Sequence, residues 1–198
     1  MLKIAICGID GCGKSTLIHK LKECLNARGI SAVSTRAPFP SKDTFAIIPP
    51  EKYRAEHEIV KRAGVAFDFI RHYKNISVNE DVLLCDRYEI DFEVLNDVYD
   101  IPNEYKDVLH SIYGQAPKID IYIFLKADFS LAGMRLKQRG NRKDDENDEI
   151  LQGMQSSFEK RFLKYTNVVI IDASKSEDEI ADEALKTILE LRRKNDKY

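Results

Sequence analysis

Residues 8 to 15 read Gly8-Ile9-Asp10-Gly11-Cys12-Gly13-Lys14-Ser15 and fit the pattern G-x-x-x-x-G-K-[ST]. Each fixed position has a chemical reason. Glycines at 8, 11 and 13 let the backbone take positive φ, so that successive N–H groups converge on an anion. A helix opening near Lys14 adds the partial positive charge of its N-terminus. Lys14 is spaced to reach β- and γ-phosphates, and the Ser15 hydroxyl to bind Mg²⁺, with Thr16 following it. Cys12 fills a small-residue position in the loop. Such a loop binds a nucleoside triphosphate; alone it does not choose among kinase, GTPase and motor-type ATPase.

A loop of this kind needs a buried strand before it and a helix after it, and the sequence supplies both. Leu2–Cys7 is a short apolar run ending at Gly8. From Ser15 to Arg28 the apolar residues Leu17, Ile18, Leu21 and Leu25 fall at helical spacing, and Gly29 is a stop signal. Further strands are expected at Ile30–Thr35, Val82–Cys85, Ile119–Leu125 and Val168–Asp172. The clearest other helical stretches are 52–75, 129–139, 148–165 and 177–194. Strands that are apolar at nearly every position and alternate with helices predict an α/β fold, with a five-stranded parallel sheet covered on both faces.

The chain of 198 residues suits one compact domain, with no internal repeat and no Gly-, Ser- or Pro-rich linker. Its one biased stretch is the charged segment 135–149. A formal net charge of -2 gives no bulk electrostatic basis for nucleic-acid binding. No apolar run reaches the roughly 18 residues a membrane span needs, and the N-terminal run is too short for a secretory signal. Cys7, Cys12, Cys24 and Cys85 form no CxxC pair or metal spacing and read as unpaired thiols of a cytoplasmic protein.

The guanine-reading NKxD tetrad and the LSGGQ signature are both absent. Six segments in order resemble the thymidylate kinase family of P-loop nucleoside monophosphate kinases over nearly the whole chain. They are Gly8–Thr16, Thr35-Arg36-Ala37-Pro38, Phe67–His72, Asp86-Arg87-Tyr88, the charged run Arg135–Lys143, and Asp172-Ala173-Ser174.

The resemblance implies a three-layer P-loop fold with a mobile lid at about 135–149, and ATP and Mg²⁺ as cofactors. It implies a phosphate loop of Gly8, Gly11, Cys12, Gly13, Lys14, Ser15 and Thr16, with Ala173 near adenine. Ser15 and Asp86 would hold the metal. Asp10 would bind the acceptor's sugar hydroxyl, and Arg36 and Arg87 its phosphate. Phe67 and Arg71, on one face of a helix, would stack on and hydrogen-bond its base. Arg139 and Arg142, then Lys137 and Lys143, would close over the transferring group, because Gly11 stands where some relatives place an arginine. Many relatives are homodimers.

A phosphate acceptor is already ionised and needs no general base. The segment after the second strand, Thr35–Pro38, carries no acid, which favours a monophosphate over a nucleoside. The resemblance is weakest on the acceptor side. Ala37 replaces a usual Glu, residues 39–58 diverge, and Glu89, Asp91 and Glu93 make acidic a stretch expected to border the acceptor. Thymidylate is therefore the first expectation. Another nucleotide, nucleoside or small metabolite is the alternative, and a non-catalytic ATP-binding module is a third reading.

Overall fold

The computed structural model describes residues 1–36, 54–76, 78–140 and 147–195. Strand β1 (Leu2–Cys7) leads through the loop into helix α1 (Lys14–Asn26), and β2 (Ala32–Arg36) follows. Next come α2 (Arg54–Asn75), β3 (Val82–Asp86), α3 (Glu89–Val98) and α4 (Asn103–Tyr113). The chain closes with β4 (Ile121–Lys126), α5 (Phe129–Gln138), α6 (Asp148–Phe162), β5 (Val168–Asp172) and α7 (Glu177–Asn195).

All five strands are parallel, in the order β2-β3-β1-β4-β5. The predicted α/β architecture is borne out. β1 lies at the centre, with Ile4, Ala5, Ile6 and Cys7 fully covered, and β3 is buried at every position. A parallel strand covered by helices on both faces has no solvent side, so both strands read as continuous apolar runs. The order of strands puts the C-terminal ends of β1, β2 and β3 side by side, and Arg36 is in register with Asp86. Ligands of open α/β sheets bind at that edge.

Helix ends are fixed by local chemistry. Asp128 caps α5 by accepting from Ser130 N–H at 2.8 Å, and Asn147 caps α6 by accepting from Ile150 N–H at 2.9 Å. Ser176 and Glu179 form a reciprocal capping box at the start of α7. Helices α3 and α4 are additional to the helical stretches expected from the sequence. α3 hides its charge: Asp91 and Glu93 are buried beside Ile90 and Val94, which masks its apolar stripe. Between the sheet and these helices, Phe69 packs edge-on against Tyr88, Phe92 and Tyr113, an arrangement aromatic quadrupoles favour.

Candidate active site

The loop leaves β1 at Gly8 and enters α1 through Gly13, which holds φ 105°. Leu17 N–H makes a helical bond to Gly13 C=O at 3.0 Å. The amides of Lys14, Ser15 and Thr16 therefore belong to a first turn without carbonyl partners in its own helix, the donors an anion needs. Lys14 folds back over the loop, and its Nζ donates to Gly8 O at 2.7 Å and Ile9 O at 2.9 Å. Its third N–H has only a long contact with Cys12 Sγ at 3.8 Å, the weakest of the three for a phosphate to displace. Gly11 has φ 85°, and a Cβ there would stand 2.5 Å from Ala132 O on α5. No arginine fits at that position while α5 stays in place. This is a packing reason for the basic residues to come from elsewhere.

Two carboxylates organise the rim. Asp86, at the end of β3, sits 3.5 Å from Ser15 Oγ and 3.9 Å from Arg36 Nε. Paired hard oxygens of this kind suit Mg²⁺, usually held through one or two carboxylates, waters and substrate phosphates. Asp10 accepts a hydrogen bond from Arg87 Nη2 and lies 3.9 Å from Lys14 Nζ. Arg87 is buried in a left-handed backbone conformation with φ 71°. Burial opposes its charge, but Asp10, Asp91 and Asp86 around it hold the guanidinium firmly protonated. A cavity of about 340 Å³ opens beside this rim, lined by Ser15, His19, Lys22, Thr35, Arg36 and Asp86.

On the other side of the loop a second cavity, of about 390 Å³, is lined by Gly11, Cys12, Gly13, Thr16, Arg135 and Arg139, among others. Ala173 is buried, and the cavity-lining Arg135 donates from Nη2 to Ala173 O at 3.0 Å. Arg135 and Arg139 share a face at spacing i,i+4, a pattern present in the sequence within the stretch whose charge predicts a lid. Residues 135–138 are in fact the last turn of α5, and 148–149 the first turn of α6. Arg142 and Lys143 lie outside the described residues, as do Ala37, Pro38 and the divergent run to residue 53. Cys12 is buried, which raises its thiol pKa, so it is a packed neutral residue.

Phe67 and Arg71 stand on α2. Phe67 is 65% exposed, unlike its buried neighbour Phe69. Arg71 Nη2 donates to Asp68 Oδ1 at 2.8 Å. Thr35 Oγ1 and His72 Nε2, 2.6 Å apart, tie this helix to the end of β2.

One expectation is corrected. The acids after Tyr88 do not line the cavity at the rim. Glu89 accepts from Tyr122 Oη under the sheet. Asp91 is fully buried at the start of α3. Glu93, one turn on from Glu89, meets His110 Nδ1 at 2.5 Å and Arg161 Nη1 at 2.6 Å. Glu89 and Glu93 share a helix face at spacing i,i+4 while Asp91 lies off it, and each is taken up by a separate set of partners, so the acidic run in sequence is not one solvated acidic face.

The sequence matches the model of the family described as Thymidylate kinase over residues 6–184. The chain belongs to the thymidylate kinase family. Among its relatives, the thymidylate kinase of Caldicellulosiruptor saccharolyticus is 29% identical, over 94% of this chain and 95% of the relative. The probable thymidylate kinase 1 of Saccharolobus solfataricus is 30% identical, over 93% and 95%. The probable thymidylate kinase of Methanosphaera stadtmanae is 29% identical, over 94% and 96%. Family membership makes the chain an ATP-dependent nucleoside monophosphate kinase, and bears out the resemblance read from its six segments. Among the described residues no helix is long and apolar enough to cross a membrane.

Proposed function

We propose that this chain transfers the γ-phosphoryl group of ATP to dTMP, giving ADP and dTDP. The observation that carries this is the pairing of Asp10 with Arg87 and of Asp86 with Ser15 and Arg36 around one phosphate loop, within a chain of this family. ATP lies along the loop, its phosphates on the first-turn amides and Lys14, and its adenine toward Ala173 and Arg135. Ser15 and Asp86 would hold Mg²⁺, which would supply neutralisation of the phosphate charge.

The acceptor lies across the rim. Arg36 and Arg87 take its phosphate, Asp10 its sugar hydroxyl, and Phe67 with Arg71 its base. An acceptor oxygen that is already ionised attacks the γ-phosphorus while the bond to the β-bridging oxygen breaks, and ADP leaves with that electron pair. No proton needs to be removed. Phosphoryl transfer of this kind is governed by positioning and charge. Arg139 and Arg142 act as the lid cations of a segment at about 135–149, closing over a single domain of residues 1–198 and limiting hydrolysis by water. Homodimeric assembly and a cytoplasmic location complete the reading, resting on the family resemblance and on free cysteines.

The test is ADP release with Mg²⁺ and a panel of nucleoside monophosphates. dTMP is expected to give the highest kcat/KM. Stimulation by none of them would overturn the reading, and a better non-nucleotide acceptor would move it to the alternative kinase.

A further inference from the structure

Arg87 is one of two non-glycine residues with positive φ among the described residues. A backbone of that kind persists only where its surroundings over-determine it. Three hydrogen bonds surround this one. Arg87 N–H donates to Ile6 O at 3.2 Å, extending the ladder between β1 and β3. Arg87 C=O accepts from Tyr73 Oη at 3.2 Å. The next N–H, that of Tyr88, donates to Asp91 Oδ2 at 3.0 Å.

Asp91 also returns its own N–H to Tyr88 O at 3.0 Å, so it grips the Tyr88 residue from both ends. Tyr88 itself is extended, with φ −143° and ψ −167°. The chain thus reverses from strand to helix within two residues, and the side chain that leaves the reversal is the guanidinium paired with Asp10.

A third-position helix acid is ordinarily a solvated cap. Asp91 is 0% exposed, and its Oδ1 is buried with no hydrogen-bond partner among the described residues. Burying a carboxylate is costly. Burial raises its pKa, while Lys14 and Arg87 pull it down. The two cations the proposed reaction uses are thus both close enough to act on this buried acid.

We infer that Asp91 is a positioning residue: through the hydrogen bond it accepts from Tyr88 N–H, it fixes the Arg87–Tyr88 reversal that aims Arg87 at Asp10 and the acceptor phosphate. The inference rests on the reading of Arg87 as a ligand of that phosphate. It commits to the hydrogen bond rather than to the charge, so an amide in the same place serves.

The experiment compares Asp91→Asn, which keeps an acceptor oxygen, with Asp91→Val, which is close in size and has none. Steady-state kinetics use the monophosphate that the wild type turns over fastest. The Val variant is expected to lose about 30- to 100-fold in kcat/KM for the acceptor, the scale of a small misplacement of a reacting group, with KM for ATP little changed. The Asn variant is expected to stay within about threefold of wild type. In an Arg87→Ala background the Val substitution should cost nothing further, because residues acting through one group are not additive.

Equal losses in the Asn and Val variants, a rise in KM for ATP matching that for the acceptor, or additive losses with Arg87→Ala would each overturn the inference. Should the Val variant fail to fold, the Asn variant decides, with retained turnover supporting and lost turnover refuting. If the wild type accepts no monophosphate, the functional reading fails separately. The crystal structure of the Val variant, or of the Asn variant if Val does not fold, then judges the inference. Support is Arg87 displaced from Asp10 in Val, or left paired with it in Asn; the opposite result refutes it.

Discussion

The guanidinium of Arg87 donates to the carboxylate of Asp10, joining the end of β3 to the phosphate loop that follows β1. The pair is cross-strand in origin, since β1 and β3 are neighbours and Ile6 is in register with Asp86. Its loss should be felt by the acceptor rather than by ATP. Asp10→Asn is expected to lower kcat/KM for dTMP by about 10- to 100-fold, the range of one charge-assisted hydrogen bond, with KM for ATP within about threefold of wild type. Initial-rate kinetics with each substrate varied in turn check this; a matched rise in both KM values would contradict it.

Phe67 separates function from stability. It is 65% exposed, so Phe67→Ala should change folding free energy by no more than about 0.5 kcal/mol. If it stacks on the acceptor base, the same change should raise KM for dTMP by about tenfold or more. Thermal melts and kinetics on one preparation decide. Lost stability with unchanged KM would make Phe67 a packing residue.

Gly11 tolerates no side chain. Its φ of 85° costs a non-glycine residue about 1–2 kcal/mol. Its Cβ would also lie 2.5 Å from the Ala132 carbonyl. Gly11→Arg is therefore expected to weaken ATP binding by more than about tenfold and to lower Tm by several degrees, the size effect of about 1–2 kcal/mol in a domain this large. Calorimetric titration with ATP and a melting curve test both. An active Gly11→Arg variant would show that α5 can move away from the loop.

Glu89 gives a pH dependence with a definite sign. Burial is the largest influence and pushes its carboxyl up to about 7, against the hydrogen bond it accepts from Tyr122. The folded state therefore holds this proton more tightly than the unfolded chain does. Stability from this group is greatest below the unfolded pKa of about 4.3, falls as pH rises through the window up to about 7, and is level above it. Glu89→Gln imitates the protonated form. It should be about 3 to 4 kcal/mol more stable than wild type at pH 8 and no more stable at pH 4. Urea unfolding at both pH values measures this; an equal difference at both would contradict the assignment.

The elements that build the loop were legible because one physical constraint governs them. β1 and β3 are covered on both faces, so their apolar runs could mean little else, and the glycine spacing after β1 has a backbone reason at each position. The rim was legible only through resemblance. Nothing in the spacing of Asp10, Arg36, Asp86 and Arg87 brings them together; the strand order does. Arg135 was visible as one of several charges, but its bond to Ala173 O depends on packing between distant segments. The acids of α3 were misplaced because burial of charge contradicts the ordinary pattern, and only the fold supplies the partners that permit it.

The close approach of Ala132 to Gly11 also bears on how this enzyme can be recombined. Because α5 rests directly on the phosphate loop, the basic residues that follow it inherit their starting point from that contact. A chimera that grafts a relative's charged segment at residue 139 keeps the contact, whereas one spliced at residue 127 must import a helix that brings its fourth carbonyl to the same place against this loop. Crossover points within the family are thereby restricted by a single backbone carbonyl.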